Sequence, residues 1–288
     1  MPESSVFTKI EDIVLQDDIR GMKALREHMP EGWIEASAQL LLDHPGKILI
    51  ATGFYILRAR EPETDGPPGA IAIGKALKSL GNTVAYVTDE LCSTVIRAIA
   101  GEDEVIEFPI TNHHESSMFA HRLLVEHAPS AMVSIERAGL LGDGTYRNWK
   151  GVDFSKFNAK IDHMFDEHPY TVGIGDGGNE IGMGNMRHVI PDIENLPDDP
   201  CVTTTTELIT ASVSNWGGYG LIAALSLKTG KNLLPTVQQG YEWVEDIVAM
   251  GAVEGLSGES KDWVDARPPE DDAMCLRDLH ALLSAEGL

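Results

Sequence analysis

Short apolar segments alternate with longer amphipathic segments along most of the chain. The short segments are rich in β-branched residues, which is typical of buried strands, and the longer ones repeat apolar positions at helical spacing. The predicted strands are 47–52, 83–88, 104–108, 131–135, 171–174 and 202–206. The predicted helices are 17–28, 32–43, 70–80, 91–100, 115–127, 156–168, 215–229, 238–250 and 272–283. This alternation predicts a doubly wound α/β fold, Rossmann-like, with a mostly parallel sheet and helices on both faces.

Glycine, proline and acidic residues suggest how the chain is divided. We predict a loose leader over residues 1–18 and a single α/β catalytic domain over residues 19–253. Residues 254–288 are expected to form a linker and a C-terminal helix, which docks on the body of the protein or on a second subunit of a homo-oligomer.

The charge balance narrows the class of partner. The chain has 22 Lys and Arg against 45 Asp and Glu, a net charge of -23, which argues against nucleic acid or an anionic membrane as the main partner. The three cysteines are far apart and form no CxxC, as in proteins of a reducing compartment. No signal peptide and no apolar segment of membrane-spanning length is evident. These features predict a cytoplasmic protein that acts on a small molecule.

The segment 170–184 has the most distinctive composition, because glycines follow a predicted strand and alternate with oxygen-bearing side chains. Gly173, Gly175 and Gly178 match the spacing G-x-G-x-x-G of dinucleotide sites. No helix-forming sequence follows, however, and Asp176 and Glu180 would repel a pyrophosphate. A loop that binds a metal or the substrate is favoured, with a dinucleotide site and a purely structural turn as alternatives.

Two further loops leave predicted strands at their carboxyl ends, where ligands gather in such sheets. Glu63 and Asp65 could converge on one cation, although an acidic surface loop is the plainer interpretation. Glu136 could be a metal ligand or a general base, and Arg137 could hold a carboxylate; an ordinary ion pair is the alternative. Asp143 and the pair His113-His114 are weaker candidates, typical of a turn and of polar surface.

Four motifs, in this order and spacing, resemble the D-glutamate cyclase-like C-terminal domain family. They are Thr52-Gly-Phe54, Glu63-Thr-Asp-Gly-Pro-Pro-Gly69, Ile135-Glu-Arg137 with Gly139, and Gly173-Ile-Gly-Asp-Gly-Gly-Asn-Glu-Ile-Gly-Met-Gly184. The resemblance implies a lyase that converts D-glutamate to 5-oxo-D-proline and water. Stand-alone members have also been suggested to be manganese-dependent phosphatases. Eukaryotic cyclases carry an additional N-terminal domain that this chain lacks, so cyclase activity is expected only if that domain supplies no catalytic group.

Residue type and placement then assign roles within a metal-dependent active site. The expected ligands of Mn²⁺ or Mg²⁺ are Glu63, Asp65, Glu136, Asp176 and Glu180. The expected catalytic residues are Glu136, Arg137 and Asp176. The expected substrate contacts are Thr52, Gly53, Arg137, Gly177, Gly178 and Asn179. The alternatives are a Mn/Mg-dependent phosphatase acting on a small phosphate ester and a metal-stabilised binding module.

Overall fold

A six-stranded parallel sheet forms the centre of the computed structural model, which describes residues 5–288. The strands of the chain are β1 (Lys47–Thr52), β2 (Tyr55–Ile56), β3 (Glu61–Pro62), β4 (Thr83–Thr88), β5 (Glu104–Glu107), β6 (Ala131–Ile135), β7 (Thr171–Gly175) and β8 (Glu207–Thr210). The order in the main sheet is β5-β4-β1-β6-β7-β8, and β2 and β3 form a separate antiparallel hairpin. The predicted α/β class and parallel sheet are confirmed.

The order of the strands determines where a ligand site forms. From β1 the chain first builds outward through β4 to β5, then returns to the other side of β1 with β6. The direction of winding therefore reverses between β1 and β6, and in open α/β sheets ligands bind at this reversal, beyond the carboxyl ends of the strands. Thr52 at the end of β1 pairs with Ile135 at the end of β6, and Ile135 pairs with Ile174 of β7. The loops that follow these three strands consequently emerge side by side.

Helices cover both faces of the sheet because both faces are apolar. Ile48 and Ile50 point into the larger core, whereas Leu49 and Ala51 point into a second core on the opposite face. The α-helices found within residues 5–288 are α1 (Val6–Val14), α2 (Met22–Leu25), α3 (Trp33–Asp43), α4 (Pro67–Ser79), α5 (Ser93–Ala100), α6 (His113–His127), α7 (Asp162–Glu167), α8 (Ser214–Thr229), α9 (Val237–Ala249) and α10 (Pro269–Ala285). Helices α6 and α7 pack on each other and cover the second core, and α8 is the central helix of the first.

The prediction of a loose leader over residues 1–18 is wrong for residues 5–18, which contain a packed helix. Residues 1–4 lie outside the described range. Helix α1 begins after Ser5, whose side chain accepts a hydrogen bond from the backbone N–H of Thr8. Ile10 and Val14 are fully buried and pack against Gly220 of α8. An amphipathic helix at this position is therefore part of the core.

Three other predicted elements differ in their bounds. The last strand of the sheet is β8, not 202–206, because the backbone of Thr203 accepts hydrogen bonds from Gly182 and Gly184 instead of joining the sheet. The predicted helix 156–168 is helical only over α7, with a 3₁₀ turn at Ser155–Phe157 before it. The predicted helix 17–28 is reduced to the short α2 and a 3₁₀ turn at Arg26–His28.

The segment 254–268, predicted to be a linker, is packed against the body of the protein. Its Glu254 is buried, and its carboxylate accepts hydrogen bonds from the backbone N–H groups of Leu256, Ser257 and Ala266. The guanidinium of Arg267 donates to the backbone oxygen of Asp17. Internal hydrogen bonding thus gives this segment a fixed loop structure, which we call the C-terminal strap. Among the residues that the structure describes, no helix is long and apolar enough to cross a membrane.

Candidate active site

The three strand-end loops bring three carboxylates together at the reversal of the sheet. One side-chain oxygen each from Asp65, Glu136 and Asp176 lies within 4.8 Å of the others. Asp65 follows the β2–β3 hairpin, Glu136 follows β6 and Asp176 follows β7. The loops singled out in the sequence therefore meet, as the parallel sheet requires.

Three more carboxylates surround this group, and together the six form what we call the acidic cluster. Each member is at most 6% exposed. The members are Glu63, Asp65, Glu136, Asp176, Glu180 and Asp265. Among the described residues, Arg20 is the one basic side chain in ion-pair contact with the cluster: its guanidinium pairs with Asp176, and its Nη2 lies 2.9 Å from Oδ1 of Asp265. The cluster thus has a large excess of potential negative charge.

Several oxygens of the acidic cluster have no hydrogen-bond partner among the described residues. They are Oε1 of Glu63, Oδ2 of Asp176, Oε2 of Glu180 and Oδ2 of Asp265. Buried acceptors are almost always satisfied in folded proteins, so a group of unsatisfied ones indicates a missing partner. Carboxylate oxygens are the ligands that hard divalent cations prefer, and the donor set therefore fits Mn²⁺ or Mg²⁺.

Burial and mutual repulsion disfavour the charged forms of these carboxyl groups. Burial raises the pKa of Asp65 to about 7, and the neighbouring Asp265 adds to the effect. Burial also raises the pKa values of Glu63, Glu136 and Asp176 well above their ordinary range, and nearby carboxylates contribute to each. Without a cation, the acidic cluster is therefore expected to retain protons near neutral pH.

Asp65 is held by the beginnings of two helices that cap each other. Its Oδ2 accepts from the backbone N–H of Ser214 at 2.9 Å and its Oδ1 from that of Asn215 at 2.8 Å, at the start of α8. In return, Oδ1 of Asn215 accepts from the N–H groups of Gly66 and Gly69, at 3.0 and 2.8 Å, at the start of α4. This reciprocal capping fixes the position of Asp65 relative to β1 and β6.

We expect the substitution Asn215→Ala to lower the free energy of unfolding by about 1–3 kcal/mol, because it leaves the buried N–H of Gly69 without an acceptor and that of Gly66 with Asp65 alone. Urea denaturation measures this change. Asn232→Ala is a matched control, since Asn232 accepts a backbone hydrogen bond at an exposed position where water can replace it. Equal stability losses in the two variants would contradict the capping role.

Glu136 adopts a backbone conformation that is unusual for a residue with a side chain. Its φ is 45°, in the left-handed region, and Oγ of Ser214 donates to its Oε2 at 2.6 Å. The adjacent Gly66 could not carry a side chain, because a Cβ there would lie 2.6 Å from that of Glu136. Strain of this kind is often found at functional sites.

The glycine loop allows Glu180 to fold back over the end of β7. A Cβ on Gly175 would lie 2.9 Å from the carboxylate of Glu180, so only glycine fits there. The carboxylate accepts a hydrogen bond from the N–H of Asp176 at 3.3 Å. Gly182 has a φ of 102°, which suits glycine and turns the chain back toward the sheet. The glycines therefore allow the Glu180 side chain to lie against the backbone at the end of β7.

A cavity of about 280 Å³ opens beside the acidic cluster, at the lower end of the range of roughly 300–1,000 Å³ for small-molecule sites. Its floor is polar, and the residues that form the floor are Arg20, Glu63, Glu136, Asp176, Gly177, Asn179 and Glu180. The rest of the lining is largely apolar but includes Arg58, Asn148 and Lys150, and we call six of its apolar side chains the apolar wall. These are Phe54, Tyr55, Leu57, Trp149, Phe154 and Leu256.

Some of the predicted site residues do not reach this cavity. Thr52, Gly53 and Gly178 are buried behind its lining, and Asp65 lies behind Glu136 and Asp176. Arg137 is only 1% exposed, and both of its Nη atoms are engaged elsewhere. Its guanidinium donates to the backbone oxygens of Gly53 and Ala159, at 2.7 and 2.8 Å, and to Oδ2 of Asp89 at 2.5 Å. Arg137 therefore does not line the cavity, and its predicted contact with a substrate carboxylate is not part of the function proposed below.

Arg137 instead joins the ends of β1 and β4 to the segment before α7. We expect Arg137→Met to lower the free energy of unfolding by about 3–5 kcal/mol, because it leaves the charge of Asp89 buried and unpaired. Arg97→Met is the control: its ion pair with Glu107 is about half exposed, so its loss should cost at most about 1 kcal/mol. Thermal or urea unfolding of both variants tests this, and similar losses in the two would contradict it.

The weaker candidates lie outside the cavity lining. Nδ1 of His113 is 3.2 Å from Nε2 of His163, and its Nε2 is 2.9 Å from the backbone oxygen of Gly144. Asp143 accepts from Thr145 and pairs with Arg147 at an exposed turn, which lowers the pKa of its carboxyl group through the hydrogen bonds of Thr145. Both arrangements match the plainer interpretation given to these residues.

Sequence reasoning missed Arg20 and Asp265. Arg20 lies between two helical turns, and Asp265 lies in the C-terminal strap, in a segment that its composition suggested was a linker. Neither residue belongs to a recognisable motif, and their proximity depends on the docking of both ends of the chain. The C-terminal strap contains three buried charged residues, Glu254, Asp265 and Arg267, and no sequence signal distinguishes them from exposed ones.

The chain has a recognisable relationship to known proteins. A family model described as D-glutamate cyclase-like, C-terminal, matches residues 10–280. Over 209 residues the chain is 34% identical to the Homo sapiens protein named D-glutamate cyclase, mitochondrial. This match covers 65% of the chain but only 34% of that protein, so it spans about a third of the length of the curated relative.

Two solved structures show more distant likenesses. An exopolyphosphatase-related protein from Bacteroides fragilis has a TM-score of 0.42 and 11% identity, over 90% of this chain and 58% of that chain. The ligand-free aldohexose dehydrogenase of Thermoplasma acidophilum has a TM-score of 0.25 and 14% identity, over 84% of this chain and 90% of that chain. Likenesses at this level support no conclusion about function.

Proposed function

Because the chain belongs to the D-glutamate cyclase-like, C-terminal family, we propose that it is an enzyme that converts D-glutamate to 5-oxo-D-proline and water. The observation that supports this most directly is the floor of the cavity, where four carboxylates line a space sized for a small molecule and three of them have a buried oxygen without a partner among the described residues. The reaction needs a base that takes a proton from an ammonium group, and a carboxylate of the acidic cluster would serve as this base. It also needs stabilisation of the charge on the reacting carboxylate, which a cation bound to the acidic cluster would supply.

Asp65, Glu136 and Asp176 are the residues that we propose to hold a divalent cation, Mn²⁺ or Mg²⁺. A cation bound there would act as a Lewis acid toward the side-chain carboxylate of the substrate and toward the oxygen that departs from it. Glu136 is fixed by Ser214, and Asp65 by the start of α8, so two of the three side chains are already oriented. Oδ2 of Asp176 remains available while Arg20 pairs with the other oxygen.

Glu180 is the residue that we propose as the general base. It lines the cavity, its Oε2 has no partner among the described residues, and it lies beside the cation-binding triad rather than within it. Glu180 would take a proton from the substrate ammonium, because only the free amine can attack the side-chain carbon. Gly177 and Asn179 also line the cavity, and we propose that they orient the amino-acid end of the substrate. One C–N bond forms, one C–O bond breaks, and the oxygen leaves as water.

The phosphatase alternative gains no support from the comparisons, since the likeness to the exopolyphosphatase-related protein is too distant to support it. Nor does the cavity favour a phosphate ester. Its floor holds four carboxylates and one arginine, and that arginine is already paired with Asp176 and Asp265. The two other basic side chains of the lining, Arg58 and Lys150, are at exposed positions. A cytoplasmic location and a homo-oligomer remain predictions from the sequence.

The purified chain, supplied with Mn²⁺ or Mg²⁺ and D-glutamate, should form 5-oxoproline that is detected by chromatography. Glu180→Gln should lower the rate by about 100-fold or more, the range for loss of a general base, whereas Glu126→Gln, at an exposed position on α6, should not change it. A panel of phosphate esters is assayed in parallel. The proposal would be abandoned if 5-oxoproline did not exceed its level with the cation alone.

A further inference from the structure

The polar floor of the cavity suits D-glutamate, but the apolar wall does not. The acidic floor suits an ammonium group and a cation, but the apolar wall faces the same space. Every functional group of free D-glutamate is charged, and its hydrocarbon part is only three carbons between them. A charged molecule gains nothing from aromatic and aliphatic surface, and loses water when it lies against it. The apolar wall therefore has no counterpart in free D-glutamate.

The apolar wall is built into the fold and is not an accident of loop packing. The ring of Phe54, next to the end of β1, lies 4.9 Å from that of Phe154, and both side chains are buried. Leu57 belongs to the β2–β3 hairpin and Leu256 to the C-terminal strap, so two separate segments place apolar side chains on the cavity. Cavities lined in this way bind apolar groups, with a few polar residues fixing the orientation.

Charge gives a second reason to expect a substituted substrate. Free D-glutamate would bring its γ-carboxylate to a floor that already holds four carboxyl groups and one paired arginine; the other basic side chains of the lining are Arg58 and Lys150, at exposed positions. An amide at the γ-position removes that charge while keeping the carbonyl carbon that the amine attacks. A neutral amide is also a better electrophile than a carboxylate anion, because the leaving group does not have to depart as an oxide.

We infer that the site takes γ-D-glutamyl amides whose amine part is apolar and lies along the apolar wall. The inference rests on the proposed cyclisation and extends it to a substrate class. The α-amine loses a proton and attacks Cδ, the new N–Cδ bond closes the ring, and the old Cδ–N bond breaks. The departing nitrogen takes the proton and leaves as a free amine, so that 5-oxo-D-proline and the amine are the products without net consumption or release of water.

The test compares γ-D-glutamyl anilide, γ-D-glutamyl methylamide and D-glutamate with the full chain and Mn²⁺. Both 5-oxoproline and released amine are measured, and reactions without protein correct for spontaneous cyclisation. We expect kcat/KM for the anilide to exceed that for the methylamide by about tenfold or more, as apolar pockets discriminate substituents of this size.

A preference for the anilide could come from contact with the apolar wall or from the better leaving group, and variants of the apolar wall distinguish these two causes. Leu57→Ser and Leu256→Ser, both at partly exposed positions, should each lower the anilide-to-methylamide ratio several-fold. Val125→Ser on the exposed face of α6 should leave the ratio unchanged. If D-glutamate is cyclised but the ratio does not respond to the wall variants, this inference is overturned, whether or not the anilide is preferred, and the proposed function stands. If no substrate yields 5-oxoproline, both fall.

Discussion

Replacing Asp176 by asparagine should weaken Mn²⁺ binding by more than about 100-fold and reduce 5-oxoproline formation to the background level. Loss of a residue that merely supports a metal ligand typically costs 10–100-fold, so loss of a charged ligand should cost more. The amide keeps the shape of the side chain and can still accept from Arg20, so the main change is the removal of one negative charge and one donor oxygen. Isothermal titration with Mn²⁺ measures the affinity without reference to activity.

Asp192→Asn serves as the matched control for this experiment, because Asp192 is exposed and lies outside the acidic cluster. It removes the same charge from the protein, so any general effect of net charge on cation binding appears in both variants. Circular dichroism establishes that both are folded. Equal Mn²⁺ affinity in the wild type and in Asp176→Asn would remove Asp176 as a ligand and, with it, the proposed cation site.

The stability of the protein should depend on pH and on the cation together. Burial raises the pKa of Asp65 to about 7, above its value in the unfolded chain. A group with a raised pKa in the folded state contributes stability that is fully present below its unfolded pKa, about 4, and is lost as pH rises through its folded pKa. In EDTA, the free energy of unfolding should therefore fall between about pH 4 and pH 7, by a few kcal/mol.

A bound cation replaces the protons of the acidic cluster, and its affinity rises as they leave. We therefore expect Mn²⁺ to raise Tm by roughly 5–10 °C near pH 8 and by much less near pH 5. Thermal unfolding in EDTA and in Mn²⁺ across this range measures the difference. An increase in Tm that is the same at all pH values would show that the cation does not compete with protons of the acidic cluster. In Asp176→Asn the pH-dependent part should be reduced.

The sheet and its helices were predictable because their signals are local. The apolar segments 47–52, 83–88 and 131–135 are buried on both faces and match β1, β4 and β6 in their bounds. The composition of segment 202–206 predicts a strand because a valine and four consecutive threonines have high β-propensity. In the folded chain their hydrogen bonds go to the glycine loop and to Thr171, a long-range choice that propensity does not contain.

The sequence also predicts that Asp65, Glu136 and Asp176 lie together, but it does not predict that Arg20 contacts them. Carboxylates that follow parallel strands must lie on one edge of the sheet, and Asp65, Glu136 and Asp176 do so. Arg137 follows Glu136 in sequence, but successive residues at the end of a strand point to opposite sides, and its side chain turns toward Asp89. The cation that does contact the acidic cluster, Arg20, is 156 residues from Asp176, and no local pattern indicates such a contact.

The C-terminal strap has a consequence for the order of events during synthesis on the ribosome. When the chain has been synthesised as far as β8, five of the six members of the acidic cluster are present. The sixth, Asp265, which is the second partner of Arg20, has not yet been made. Contacts between such distant parts of a chain form late in folding. A nascent chain therefore exposes an incomplete and strongly charged pocket, and the mature arrangement around Arg20 is established only after the C-terminal strap has been released and docked.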